Sequence, residues 1–186
     1  MMRIIEKVFD DIAIIQYDCF NDVRGFFCET YRKDIFDSLG IVFPFVQDNH
    51  SGSNRHVLRG LHFQWEPAMG KLMRVTIGKA FLVAVDVRKK SKYFGKWYGK
   101  TLSSADNLLI WAPSGFARGF CVLSDYAEVQ YKCTGIYNRQ NEAGIRWNDP
   151  GINIEWPVAD PVLSDKDANA PTLKEWSINP LSDLVS

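Results

Sequence analysis

Polar side chains on strand faces otherwise built of hydrocarbon are the first sign of chemistry in this chain. Side chains alternate faces along a strand, so in Lys71-Leu72-Met73-Arg74-Val75-Thr76-Ile77 the residue Lys71 shares a face with Met73, Val75 and Ile77. The same count puts Tyr131 with Ala127, Val129 and Cys133, Arg118 with Phe116, Phe120 and Val122, and Glu29 with Phe27 and Tyr31. Small barrels fill their interiors with hydrocarbon, and an unpaired charge inside one is costly. Two explanations are open: a structural hydrogen-bond network in which Glu29 pairs with an arginine or lysine, or a hollow barrel whose cavity binds a polar, anionic ligand. The joint occurrence of these groups favours the cavity.

A base is available beside them. Of the three histidines, at 50, 56 and 62, His62 has the most apolar surroundings, in Val57-Leu58-Arg59-Gly60-Leu61-His62-Phe63-Gln64. A histidine on a strand can be a satisfied core residue. A neutral imidazole there is also a general base suited to pH 7, and an aspartate could fix its tautomer, although spacing does not say which one. Gly60 marks a candidate bulge, so face parity is not carried across it. A metal centre is not expected, because no HxH pair occurs and no histidine follows His62. Phosphate-cradling loops of the GxGxxG or GxxxxGK[ST] kind are also missing.

The elements that must position these groups read mostly as short strands. The chain has 186 residues, 46% hydrophobic and 24% charged, which suits one domain spanning 1–186. Lys plus Arg equals Asp plus Glu at 22 each, so nothing advertises a nucleic-acid or membrane surface. The opening Met1-Met2-Arg3 leads into Glu6, Lys7, Asp10 and Asp11 rather than an apolar run, and a cytoplasmic location is expected. Cys19, Cys28, Cys121 and Cys133 form no CxxC pair and are expected as reduced, mostly buried thiols. One helix is expected over 31–40, with Ile35 and Leu39 at i and i+4 and Gly40 as the stop. Strands are expected at 72–77 and 80–87, where the Gly78-Lys79 link predicts a hairpin, and at 116–123 and 127–133. Many strands around one small helix predict an all-β barrel or jelly roll, with 148–171 wrapping the outside or closing one mouth.

With these residues in view, the sequence closely resembles the dTDP-4-dehydrorhamnose 3,5-epimerase family. The matching segments include Asp22-Val23-Arg24-Gly25-Phe26-Phe27-Cys28-Glu29-Thr30-Tyr31, Gln47-Asp48-Asn49-His50-Ser51, the stretch from Val57 to Gln64, Lys71-Leu72-Met73-Arg74-Val75, Val85-Asp86-Val87-Arg88, Ala127-Glu128-Val129-Gln130-Tyr131-Lys132-Cys133, Gly144-Ile145-Arg146-Trp147-Asn148-Asp149-Pro150 and Leu163-Ser164-Asp165-Lys166-Asp167. The resemblance implies a cupin-like jelly roll and a cofactor-free epimerisation of a nucleotide-linked 4-keto-6-deoxy sugar. It implies that His62 is the base oriented by Asp167, that Lys71 stabilises the enolate oxygen and that Tyr131 returns the proton from the other side. It assigns Arg24, Phe27, Glu29, Gln47, Asn49, Arg59, Arg118, Glu142 and Lys166 to substrate binding and Tyr137 to stacking on the base. A homodimer, with N-terminal strands contributing to the partner's sheet, is also implied.

One position departs from the family. Where the family reads Gly-Phe-Ala-His-Gly-Phe, this chain has Gly115-Phe116-Ala117-Arg118-Gly119-Phe120, so arginine replaces a substrate-contacting histidine. Binding of the phosphates or the sugar is therefore expected to be retuned. A 3- or 5-monoepimerase and a non-catalytic nucleotide-sugar-binding module are the alternatives. The second has no need of an acid and a base together.

Overall fold

A computed structural model describes residues 2–185 of the chain. Two antiparallel sheets face each other across the core. In chain order the strands are β1 (Arg3–Val8), β2 (Ile12–Gln16), β3 (Cys19–Asp22), β4 (Gly25–Cys28), β5 (Gln47–Asn54), β6 (Leu58–Gln64), β7 (Lys71–Ile77), β8 (Lys79–Asp86), β9 (Trp97–Ser103), β10 (Leu108–Ala112), β11 (Phe116–Val122), β12 (Tyr126–Cys133) and β13 (Glu142–Gly144). The helices are α1 (Lys33–Ser38), α2 (Asp165–Ala168) and α3 (Leu173–Ser177). One sheet has the order β1-β2-β10-β7-β12-β5 and the other β13-β6-β11-β8-β9. The expected jelly-roll architecture is what these sheets form.

Alternation along the strands builds the interior. Ile12 and Ile14 of β2, Met73 and Val75 of β7, Phe116 and Phe120 of β11 and Ala127 and Val129 of β12 meet in one buried cluster between the sheets. The outer face of the five-stranded sheet is not left wet. Phe63, Val83, Val85 and Ala117 pack there against Ile152, Leu173 and Trp176 of the C-terminal segment. On the six-stranded sheet, Ile15, Leu72 and Trp111 are covered by Phe36 of α1 and Ile41. Non-local burial, not local propensity, therefore holds α1 and α3 in place.

Three local expectations change. The Gly78 link does not close a hairpin: β7 pairs with β10 and β12, whereas β8 pairs with β9 and β11. It is a corner between sheets, with Gly78 at φ +73° and so close to the Tyr126 carbonyl and Ser124 that a Cβ would collide. A two-residue link with positive φ looks the same in sequence whichever partner the strands choose. The helix expected over 31–40 is shorter, and Phe36 is its buried residue. Two further helices, α2 and α3, were not expected. Their signals are Ser164, which accepts from the Asp167 backbone N–H, and a Thr172–Glu175 capping box.

All four cysteines are free thiols; Cys121 and Cys133 are buried, while Cys19 and Cys28 are half-buried. Among the described residues no helix is long and apolar enough to cross a membrane.

Candidate active site

A cavity of about 440 Å³ opens between the sheets and is lined by His62, Lys71, Met73, Arg118, Tyr131 and Asp167, with Arg59, Ser51 and Lys166 also on its wall. Its size lies within the usual range for a ligand pocket. The two sheets contribute different groups. His62 on β6 and Arg118 on β11 come from the five-stranded sheet, and Lys71 on β7 and Tyr131 on β12 from the six-stranded sheet. Base and phenol therefore face each other across the cavity because they belong to opposing layers.

A bulge explains how β6 presents two functional groups. Arg118 pairs with His62, but Phe120 pairs with Arg59, so three residue steps on β6 oppose two on β11. Gly60 absorbs the extra residue at φ +129°, its Cα side pressed against Gly119. Arg59 and His62, which simple alternation would put on opposite faces, then both line the cavity. The Gly60 N–H released from the ladder donates to Asp167 Oδ2 at 3.2 Å.

Asp167 supplies the partner that spacing left unnamed. Its Oδ1 lies 2.6 Å from His62 Nε2. The ionised carboxylate accepts the Nε2 proton and leaves Nδ1 as the basic nitrogen. The aspartate arrives on α2, where Ser164 caps the backbone N–H of Asp167 at 3.2 Å, and a bridge between Val57 and Val162 binds this segment to the barrel. Burial would raise the Asp167 pKa, but bonds from His62, the Gly60 N–H and Ser164 outweigh it and hold the carboxyl below its ordinary value. A lowered carboxyl pKa adds stability above the ordinary value of 3.8, and that stability is lost as pH falls through the lowered value. Asp167→Asn should thus cost about 1–3 kcal/mol at pH 6. The gap from the unsubstituted protein should close as denaturant titrations move towards pH 3; a gap independent of pH would exclude the ionised pair.

Lys71 and Tyr131 form the opposite wall. The Lys71 ammonium sits 5.7 Å from the centre of the Tyr131 ring. Desolvation lowers the Lys71 pKa, opposed by Cys133 and reinforced by the charge of Arg118. Desolvation raises that of Tyr131, which stays a protonated phenol in the neutral range. Strand β5 lies alongside, with Asn49 opposite Tyr131 and Gln47 opposite Cys133. Gln47 Nε2 donates to Asn49 Oδ1 at 2.9 Å, and Gln47 Oε1 accepts from the Tyr137 backbone N–H at 2.8 Å. Tyr137 presents a half-exposed ring and donates its hydroxyl proton to Glu142 Oε2 at 3.1 Å, and Lys166 bridges to the same carboxylate.

Gln64 was not expected at the site, although it shares the face of His62 two residues away. Its side-chain amide donates to the carbonyls of Pro67 and Ile136 at 2.8 and 2.9 Å and accepts from the Asn138 N–H at 2.7 Å. It thereby sets the loop that presents Tyr137.

Arg24, Phe27 and Glu29 are not brought to this cavity. Strands β3 and β4 form a separate two-stranded sheet, on which Phe27 is exposed and Arg24 pairs with Asp22. The expectation that Glu29 faces the core is corrected: β4 ends at Cys28, and Glu29 lies outside it, 3.6 Å from Arg32. Alternation holds only within a strand that belongs to the sheet in question. Among the described residues no cluster of His, Cys, Asp or Glu has the makings of a metal site.

Comparison with known proteins agrees with this geometry. Residues 6–175 match the family described as dTDP-4-dehydrorhamnose 3,5-epimerase. A protein of that description from Shigella flexneri is 51% identical over 170 residues, covering 90% of this chain and 94% of the relative. The crystal structure of a dTDP-6-deoxy-D-glucose-3,5-epimerase from Legionella pneumophila, in complex with dTDP-4-keto-L-rhamnose, superposes with a TM-score of 0.92 at 42% identity, covering 100% of this chain and 97% of that one. A 3'-monoepimerase from Streptomyces bikiniensis, in complex with dTDP-quinovose, is 32% identical with a TM-score of 0.86, covering 92% and 88%.

Proposed function

The chain belongs to the dTDP-4-dehydrorhamnose 3,5-epimerase family, and from that premise we propose that its cavity epimerises dTDP-4-dehydro-6-deoxy-D-glucose at C3 and C5 to give dTDP-4-dehydro-L-rhamnose. The observation that carries this reading is His62, on one sheet and held by Asp167 of α2, facing Tyr131 and Lys71 of the other sheet across a single cavity.

Hydrogens on C3 and C5 are acidic because they flank the C4 ketone. Nδ1 of His62 takes the proton, the C–H electron pair becomes a C=C bond to C4, and the carbonyl π electrons move onto the C4 oxygen. Asp167 steadies the imidazolium that results, and the Lys71 ammonium lies where it can meet the oxygen's charge. Tyr131 then donates its proton to the opposite face of the carbon and the ketone re-forms. Imidazolium and tyrosinate exchange protons with solvent to reset the site, so these side chains supply the base, the acid and the oxyanion partner without a redox cofactor. Four cationic side chains, Arg59, Lys71, Arg118 and Lys166, line the cavity against the carboxylate of Asp167, an imbalance that suits an anionic nucleotide sugar. Tyr137 offers an aromatic face to the thymine.

In deuterated water, dTDP-4-dehydro-6-deoxy-D-glucose should acquire deuterium at both C3 and C5 by NMR. Deuterium at one carbon indicates a monoepimerase, and at neither a binding module.

The hairpin of β3 and β4 completes the reading. Phe20, Val23, Phe26 and Phe27 are all exposed on it, and an isolated two-stranded ribbon is marginal in water. A second copy of the chain that covers it would receive Arg24, Phe27 and Glu29 at its own cavity. Sedimentation equilibrium should accordingly report twice the 21.3 kDa chain mass; a monomer at micromolar concentration would sink this arrangement.

A further inference from the structure

Arg118 is 3% exposed, yet its Nε and Nη1 have no hydrogen-bond partner. Among the described residues its one polar contact is weak, from Nη2 to the Met73 thioether sulfur at 3.3 Å. No carboxylate pairs with it among the described residues, and its charge acts against the like charge of Lys71. An uncompensated buried cation destabilises a fold, and proteins retain such groups chiefly at functional sites. The two unpartnered nitrogens belong to a side chain on the wall of the cavity that holds His62 and Tyr131.

Position decides what oxygen they suit. Arg118 starts on β11 opposite His62 and reaches Met73 on the facing sheet, two residues along the same face from Lys71. The buried guanidinium thus reaches the strand that carries Lys71, and its charge acts on that ammonium. Arg59 and Lys166, in contrast, are exposed and lie towards the rim, where Tyr137 sits. A nucleotide sugar is linear, with base, diphosphate and hexose in that order. With the base at Tyr137 and the hexose between His62 and Tyr131, the exposed cations meet the diphosphate, while Lys71 and Arg118 meet the sugar.

Resting on the proposed epimerisation, we propose that Arg118 is a catalytic residue that joins Lys71 in binding the C4 oxygen of the hexose and stabilising its negative charge in the enolate. Lys71 approaches from the six-stranded sheet and Arg118 from the five-stranded one. The guanidinium offers a planar fork of donors fixed in place before the reaction, which is the arrangement that favours developing charge over the neutral ketone.

The test separates the sugar oxygen from the diphosphate. Arg118→Gln should lower kcat by roughly 10²–10³-fold, as removal of an oxyanion donor does, while the Kd of dTDP alone, by titration calorimetry, stays within about twofold. Its melting temperature without ligand should be unchanged or raised by roughly 2–4 °C, since a lone buried charge is removed. Should that variant fail to fold, Arg118→Lys carries the same comparison, with kcat down about tenfold through loss of the fork. A dTDP affinity weakened about tenfold or more would make Arg118 a diphosphate ligand and overturn the proposal. Unchanged kcat would overturn it too. If the unsubstituted protein exchanges no hydrogen at C3 or C5, the epimerase reading itself fails; if it exchanges normally and Arg118→Gln matches it, only the assignment of Arg118 fails.

Discussion

His62→Ala should abolish solvent exchange at both C3 and C5, with kcat reduced on the order of 10²–10⁴-fold. The size of the effect follows from the geometry. Among the described residues only His62 combines a basic nitrogen directed by a carboxylate partner with a place on the cavity wall. The carboxylate left behind cannot substitute, because Asp167 is held on α2 with one oxygen fixed by the Gly60 N–H, and a carboxylate with a lowered pKa is a weak base. Binding of dTDP should stay within about threefold of the unsubstituted value, since base and diphosphate meet other residues. Exchange measured by deuterium incorporation, beside dTDP titration as a check on the folded pocket, reads both effects. Exchange at C3 or C5 close to the original rate would move the base to another group and dismantle the two-sided arrangement.

Tyr131→Phe should separate two events that His62→Ala abolishes together. The enolate still forms when the phenol is missing, because proton removal occurs on the His62 side. Deuterium should therefore enter C3 and C5 within about tenfold of the original rate, delivered back from the same face once the imidazolium has exchanged with solvent. Net inversion should fall by roughly 10²–10³-fold, the contribution of a positioned general acid. Burial supports this role, since it pushes the phenol pKa up and keeps the donor protonated across the neutral and mildly alkaline range. Phenylalanine preserves the ring beside the Lys71 ammonium, so packing changes little. Loss of exchange and inversion in equal measure would place Tyr131 in the first proton transfer instead of the second.

Strand alternation alone placed Lys71, Tyr131 and Arg118 on inward faces, because within a regular strand the side-chain direction repeats every second residue. Composition and the spacing of strands pointed to an all-β jelly roll for a similarly local reason. The resemblance to a known family then supplied Asp167, which periodicity could not select from the other aspartates. Only the folded chain shows how it gets there: the Val57–Val162 bridge brings the segment before α2 against the barrel, and α2 delivers the carboxylate over 105 residues of separation from His62. Strand pairing was likewise decided non-locally. Gly78 reads as a hairpin turn but forms a corner, since β8 gains its partners from β9 and β11. Gly60 inserts the bulge that lets Arg59 and His62 share a wall, and where that bulge falls depends on the register with β11. Glu29 shows the reverse case, a parity argument continued past the end of its strand. Residue types and their alternation thus settle what chemistry the chain contains, whereas pairing, register and the return of the C-terminal segment settle which groups meet, because those depend on contacts between residues far apart in the chain.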